Sequence, residues 1–194
     1  MNLPNKLTLL RMFLIPFFLL FMYIDVPCNY LIALIIFAAA SITDALDGKI
    51  ARKYNLVTNF GKFLDPLADK VLVISALTVF VELDSVKMGA IPLIIITARE
   101  FMVSGLRLVA ADSGVVVAAG IWGKLKTAFT MVTIVGILCW LSVCNDFGFS
   151  LPSGLVDAVD NIAIPVLIWV STVLTVISGL IYLKAYWHLI DSDK

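Results

Sequence analysis

Asp44, Asp47, Asp65 and Asp69 are the residues of this chain best placed to do chemistry. They fall in the pattern D-x2-D-G-x2-A-R-x8-G-x3-D-x3-D, which also takes in Gly48, Ala51, Arg52 and Gly61. Only 14% of the chain is charged, so four acids between residues 44 and 69 are a local concentration. Spacings of three and four put each pair on one face of a helix. Carboxylates gathered in this way repel one another unless cations join them, and hard divalent ions take oxygen ligands of this kind. Four acids could hold two such ions with one carboxylate bridging. That arrangement suits phosphoryl chemistry, where the metals offset charge on diphosphate oxygens and on the leaving group. The alternative is a solvated acidic turn between two helices. The regular spacing and the apolar flanks count against it.

The small residues of the pattern have a physical meaning of their own. Glycine weakens a helix by roughly 1 kcal/mol relative to alanine, yet Gly48 and Gly61 stand beside the acids. Their placement points to a ligand that needs close access to backbone, although Gly61 could simply start or cap a helix. Ala51 is small enough to pack beneath such a ligand, and Arg52 can pair with an acid or with a phosphate.

The elements that must position these residues are apolar. Hydrophobic residues make up 61% of the 194 residues, against roughly half in a soluble domain, and mean hydropathy is +1.04. A helix needs about 20 apolar residues to span a bilayer. Six stretches qualify, roughly 7–26, 29–51, 63–83, 88–110, 124–144 and 162–188. The expected fold is all-α: a polytopic membrane protein of six transmembrane helices, with residues 1–194 forming a single integral membrane domain. Arg11 interrupts the start of the first stretch and no A-x-A-like site follows it, so a span is expected there and not a cleaved leader. Pro66 is tolerable because first-turn amides have no helical partner.

An even number of spans puts both termini on one side. Of the 14 Lys and Arg residues, all but Lys87 fall nearest that side. The positive-inside rule makes it cytoplasmic. Asp44 and Asp47 then end the second span and Asp65 and Asp69 open the third, so the four face each other at one depth just inside the cytoplasmic boundary. Ionisable groups at such a depth are costly and usually functional. The multi-pass protein is expected in the cytoplasmic membrane, and no nucleic-acid partner is expected.

A second set of residues is basic. Arg99 lies in the middle of the fourth stretch, where a lone charge is expensive. Arg107 follows eight residues later, within about 80° of the same helix face at 100° per residue. Lys124 and Lys126 open the fifth stretch on the same side. Together the four suit a phosphate dianion, which arginine grips in bidentate fashion. The competing reading for Arg99 is a pair with Glu100. For Arg107, Lys124 and Lys126 it is snorkelling to the interface or contact with anionic head groups. Cys28, Cys139 and Cys144 form no C-x2-C and no Cys/His cluster, so zinc is not expected. Cys28 and Cys144 both fall near the outer face, where a bridge is possible and free thiols are the expectation.

All eight motif positions match the signature of the CDP-alcohol phosphotransferase family, which this chain resembles. The resemblance implies six transmembrane helices, a homodimer, and transfer of a phosphatidyl or similar group from a CDP-linked donor to an alcohol with release of CMP. It implies two Mg2+ or Mn2+ ions on Asp44, Asp47, Asp65 and Asp69, with Asp69 also the general base. Gly48, Ala51 and Gly61 would line the cytidine pocket. The opening N-L-P-N-K-L-T-L-L-R and the blocks G-K-F-L-D-P-L-A-D-K, A-R-E-F-M-V-S-G-L-R and G-K-L-K-T are similar to one branch of that family. Members of that branch join CDP-diacylglycerol to sn-glycerol 3-phosphate. By this resemblance Asn5, Thr8 and Arg11 sit near the nucleotide; the reading of Arg99, Arg107, Lys124 and Lys126 as a pocket for the acceptor phosphate, made above from their placement, agrees with it.

Other acceptors remain open, among them inositol phosphate, serine and a second phosphatidylglycerol. The basic quartet counts against serine. A divalent-cation transporter would want acids near mid-membrane on several helices, and a non-catalytic scaffold gives no reason for the acid and glycine spacing. The charge asymmetry makes a direct prediction. A reporter fused after Lys194 behaves as cytoplasmic, and a cysteine placed at Pro152 labels from outside intact cells. The opposite labelling would break the six-span topology.

Overall fold

The computed structural model describes the backbone of residues 3–53, 59–112, 120–149 and 151–187, with side chains for 5–44, 64, 67–110, 120–149 and 151–187. The protein is all-α, with no strand among the described residues. Six long helices follow the six apolar stretches: α1 (Leu3–Tyr23), α2 (Asn29–Lys53), α3 (Asn59–Glu82), α4 (Ala90–Asp112), α5 (Ile121–Leu141) and, after the short α6 (Ser153–Ala158), α7 (Ile164–Tyr186). A π-helical turn, Ser142–Asp146, extends α5, and another, Val159–Ala163, leads into α7.

Among the described residues, three stretches are long and apolar enough on their own to cross a membrane: Asn5–Tyr23, Ile121–Asp146 and Ser153–Tyr186. The protein is a membrane protein on this evidence. Helices α2, α3 and α4 carry the charged residues discussed above, and Arg99, Glu100 and Arg107 interrupt the apolar run of α4. A charge at mid-span costs several times what one leucine contributes, so these three helices need partners for their charges.

The chain forms two compact units, each discontinuous in sequence. The first comprises Met1–Phe80 with Ile134–Leu155, the second Val81–Thr133 with Val156–Lys194. In the first unit α1 packs on α2. Asn5, Thr8, Arg11, Ile15, Phe18 and Met22 are all buried, at spacings of three and four that trace one helix face. The matching stripe on α2 is Ala33, Phe37 and Ala40, also buried. The two alanines let the backbones approach, which is how helices associate in lipid, where hydrophobic driving force is absent. Phe18 and Phe37 fill the seam between them, ring centroids 5.7 Å apart and tilted by 56°. The seam is apolar at that end and polar at the other, where the α1 stripe runs into Arg11, Thr8 and Asn5. Asp146, from the turn after α5, caps α2: its carboxylate accepts the backbone N–H of Leu31 at 2.6 Å and of Tyr30 at 3.4 Å. An anion at a helix N-terminus satisfies amides that have no helical partner.

In the second unit α4 packs on α7. Ile96, Val103, Leu106 and Ala110 are buried on α4, and Arg99 falls in the same register of threes and fours. The facing stripe of α7 is Ile164, Ile168, Ser171, Thr175, Ser178 and Tyr182, small and hydroxylated for most of its length. Thr130 of α5 shares a hydrogen bond with Ser171 at 2.8 Å. Lys87 reaches the side-chain oxygen of Asn161 in this unit. Cys28, Cys139 and Cys144 form no disulfide.

The α1–α2 seam can be weighed against lipid exposure. Phe18→Ala should lower stability by about 3 kcal/mol, the lower end of losses for a core phenylalanine. Phe13→Ala, at a position 67% exposed, should change it little. Reversible unfolding in mixed micelles measures both, and equal effects would remove the seam from the account.

Candidate active site

The motif lies on the end of α2 and the start of α3. Asp44 follows Ala33, Phe37 and Ala40 at the next helical step, so the buried stripe of α2 delivers its carboxylate to the polar end of the seam. There Arg11 Nη1 stands 2.5 Å from Asp44 Oδ1. The Arg11 side chain is fully buried, whereas that of Asp44 is 41% exposed. A guanidinium buried to this degree needs a counter-charge, and Asp44 supplies it. A carboxylate has about four lone-pair sites, so this ion pair leaves Asp44 able to ligate a cation as well. On α3 the buried stripe is Ala68, Leu72, Ala76 and Phe80, and half-buried Asp69 adjoins its first member.

Asp47, Gly48, Ala51, Arg52, Gly61 and Asp65 lie on helical backbone, and their side chains fall outside the described residues. Among the described residues no three ligating side chains gather, and only Asp44 and Asp69 of the four acids belong to that set. The donor chemistry nonetheless fits divalent metal: hard carboxylate oxygens, one of them on a half-open side chain. Of the three residues expected near a nucleotide, Asn5 and Thr8 are buried on the α1 stripe and Arg11 is engaged by Asp44.

The basic residues belong to the second unit. Arg99, with its side chain 10% exposed, donates from Nη2 to Ser178 Oγ at 2.6 Å and from Nη1 to Glu100 Oε1 at 3.4 Å. The same Glu100 oxygen holds Lys126 in an ion pair, and Lys126 is buried. Arg107 Nη2 donates to the Tyr182 hydroxyl at 3.3 Å, and the Gly120 backbone N–H donates to it at 2.8 Å. The guanidinium carbons of Arg99 and Arg107 each stand 5.6 Å from the centre of the Tyr182 ring. A ring face draws cations to this distance. Arg99, Arg107 and Lys126 are thus brought together, whereas Lys124 is exposed and shares none of these contacts.

Several members of this cluster are not evident from the sequence. Glu100 stands out only as a neighbour of Arg99, whereas its stronger partner is Lys126. Residues i and i+1 do not face each other on a helix, which accounts for the long Arg99–Glu100 contact. Tyr182 resembles any aromatic residue near a membrane interface. The glycines around it have a steric role. A Cβ at Gly179 would stand 3.1 Å from Arg99 Cγ, and one at Gly123 would stand 3.2 Å from the Tyr182 hydroxyl. The available signal was Ser171, Ser178 and Gly179 at helical spacing in an otherwise apolar run, a pattern that marks close helix contact.

A family model for CDP-alcohol phosphatidyltransferases matches residues 1–177. The chain belongs to that family. The match covers the four acids and the basic residues and stops short of Ser178 and Tyr182. Three relatives carry the name CDP-diacylglycerol–glycerol-3-phosphate 3-phosphatidyltransferase. That of Bacillus subtilis is 41% identical over 100% of this chain and 99% of its own. That of Rickettsia bellii is 41% identical over 95% and 94%, and that of Haemophilus influenzae 37% over 98% and 97%. The similarity therefore runs the full length of this phosphatidyltransferase and of its relatives.

Tyr182→Phe keeps the ring and removes the acceptor for Gly120 and Arg107. Both donors belong to exposed residues that can turn to water, so thermal unfolding of the variant should show a loss of about 0.5–1.5 kcal/mol, the net worth of a typical hydrogen bond. An unchanged melting temperature would mean that the hydroxyl does not hold the cluster.

Proposed function

We propose that this phosphatidyltransferase joins CDP-diacylglycerol to sn-glycerol 3-phosphate, giving phosphatidylglycerophosphate and CMP, a step of phosphatidylglycerol synthesis. The observation that carries this reading is the end-to-end similarity to relatives named for that reaction, with every motif position retained. The basic cluster supports it independently, because three cations held in one place suit an acceptor that carries a phosphate.

CDP-diacylglycerol enters from the inner leaflet, with its acyl chains in lipid and its cytidine against the small residues Gly48, Ala51 and Gly61. Asn5, Thr8, Arg11 and Arg52 contribute to the nucleotide side. Asp44, Asp47, Asp65 and Asp69 are the ligands for two divalent cations, Mg2+ or Mn2+, whose chemistry is to offset charge on the diphosphate. Glycerol 3-phosphate comes from the cytosol. Arg99, Arg107 and Lys126 take its phosphate, with Lys124 at the exposed margin. Asp69 accepts the proton of the 1-hydroxyl. The alkoxide oxygen forms a bond to the lipid-side phosphorus, the bond from that phosphorus to the bridging oxygen breaks, and CMP leaves with the electron pair. A carboxylate is a modest base for an alcohol, so much of the rate comes from positioning and fixed charge.

In this reading residues 1–194 serve one catalytic domain, all six long helices cross the cytoplasmic membrane, both termini are cytoplasmic, and the enzyme works as a homodimer. Inositol phosphate is the second acceptor to consider, since the same cations suit it.

CMP release from CDP-diacylglycerol, measured against a panel of acceptors, tests the assignment. Glycerol 3-phosphate should support turnover, while serine and glycerol should not. Excess chelator should abolish release, and added Mg2+ or Mn2+ should restore it. Full activity in excess chelator would contradict the two-metal site, and turnover with serine alone would contradict the acceptor.

A further inference from the structure

Glu100 is the one acid among the described residues of the basic cluster, and its chemistry is opposed to that of the acceptor. Lys126 is 4% exposed, and its ammonium group is paired with Glu100 Oε1. The same oxygen lies 3.4 Å from Arg99 Nη1. A buried ammonium requires a counter-charge, so Glu100 fills that role before substrate arrives. A phosphate dianion that reaches Arg99 and Arg107 brings two negative charges to the carboxylate's neighbourhood. The two anions then compete for one lysine. Arg99 has an anchor that survives such an exchange, because its Nη2 is held by Ser178 at 2.6 Å. Arg107 is likewise held by Tyr182. Lys126 is the cation whose ion pair must change.

We propose that Glu100 is an internal counter-ion for the phosphate subsite, holding Lys126 until the acceptor's phosphate displaces it. This rests on the reading that the cluster takes the acceptor phosphate. The device has two effects. It lowers affinity for the acceptor, because binding must break the Glu100–Lys126 pair. It also raises selectivity, because a neutral alcohol brings no charge with which to displace the carboxylate and meets a subsite already neutralised. Product carrying the same phosphate is released more readily for the same reason. Glu100 acts through Lys126 and is a positioning residue.

Glu100→Gln removes the charge and keeps an oxygen that can accept from Lys126. In the full-length enzyme in micelles, KM for glycerol 3-phosphate should fall about five- to tenfold, the lower range of coupling between two ligands of one site. The inhibition constant of inorganic phosphate, competing with glycerol 3-phosphate, should fall with it. KM for CDP-diacylglycerol should stay unchanged. A change in stability alone would move none of these in this pattern.

Because Lys126 is left buried without its partner, Glu100→Gln could fail to fold. Lys126→Met and the double variant Glu100→Gln/Lys126→Met cover that case, since the double variant removes both charges. Its KM for glycerol 3-phosphate should lie below that of Lys126→Met, because the repelling carboxylate is gone. Acceptor KM unchanged or raised in Glu100→Gln, or equal in Lys126→Met and the double variant, would overturn the proposal and leave the function intact. Wild-type enzyme that releases CMP without dependence on glycerol 3-phosphate would overturn the function and the proposal together.

Discussion

A charge on a helix in lipid has to be met by an opposite charge or a hydrogen-bonding group, and this constraint organises the molecule. The lipid-facing surfaces of α1, α5 and α7 hold side chains such as Phe13, Val132 and Leu180, all exposed. Three ionisable groups, Arg11, Arg99 and Lys126, instead lie on the buried stripes. Arg11 extends the α1 stripe and is met by Asp44 at 2.5 Å. Arg99 falls within the α4 stripe, between Ile96 and Val103, and is met by Ser178, with Glu100 and Tyr182 beside it. Lys126 opens the α5 stripe and is met by Glu100. Each of these stripes is therefore packed, and each charge on it is met by a partner.

Two clusters of different character result. In the first unit a buried arginine is set against one of the acids of the motif, and the net charge of the motif favours cations. In the second unit the cluster sets Arg99, Arg107 and Lys126 around Glu100, the one acid among its described residues, and the surplus favours an anion. A transferase that joins a diphosphate donor to a phosphorylated alcohol needs both. The donor needs its charge offset by metal, and the acceptor needs its phosphate held by fixed side chains. Fixed side chains cost no reorganisation when the substrate arrives. Tyr182 supplies that fixity in the second unit, since its hydroxyl joins the Arg107 side chain to the backbone at Gly120.

Much of this was legible from residue type and spacing. The acids were visible because aspartates at spacings of three and four are rare in a chain so apolar, and Arg99 because a charge stood in the middle of a span. The six apolar stretches became six long helices whose ends differ by at most four residues among the described residues, at the starts of α1 (Leu3) and α3 (Asn59). Pairings between helices were not legible. Arg11 was assigned to the nucleotide on resemblance, and nothing local announces that Asp44 comes to it. Glu100 was weighed as the partner of the adjacent Arg99, whereas helical geometry turns it toward Lys126. Tyr182, Ser178 and Gly179 were passed over because small residues and a tyrosine have many structural uses in a membrane helix. Their role depends on what α4 and the start of α5 bring to them.

The central claim is that the acids serve the donor and the basic cluster serves the acceptor. Steady-state kinetics with each substrate varied in turn, on Arg99→Ala, Arg107→Ala and Asp69→Asn, tests it most directly. Loss of a charge-assisted hydrogen bond to phosphate costs roughly 1.5–3 kcal/mol, so each arginine variant should raise the apparent KM for glycerol 3-phosphate by about 10- to 150-fold. Its dependence on CDP-diacylglycerol should barely move. Asp69→Asn should instead lower kcat by at least about 10², the lower range for loss of a general base. Arginine variants that lose the donor and keep normal acceptor dependence would contradict the division of labour between the two clusters.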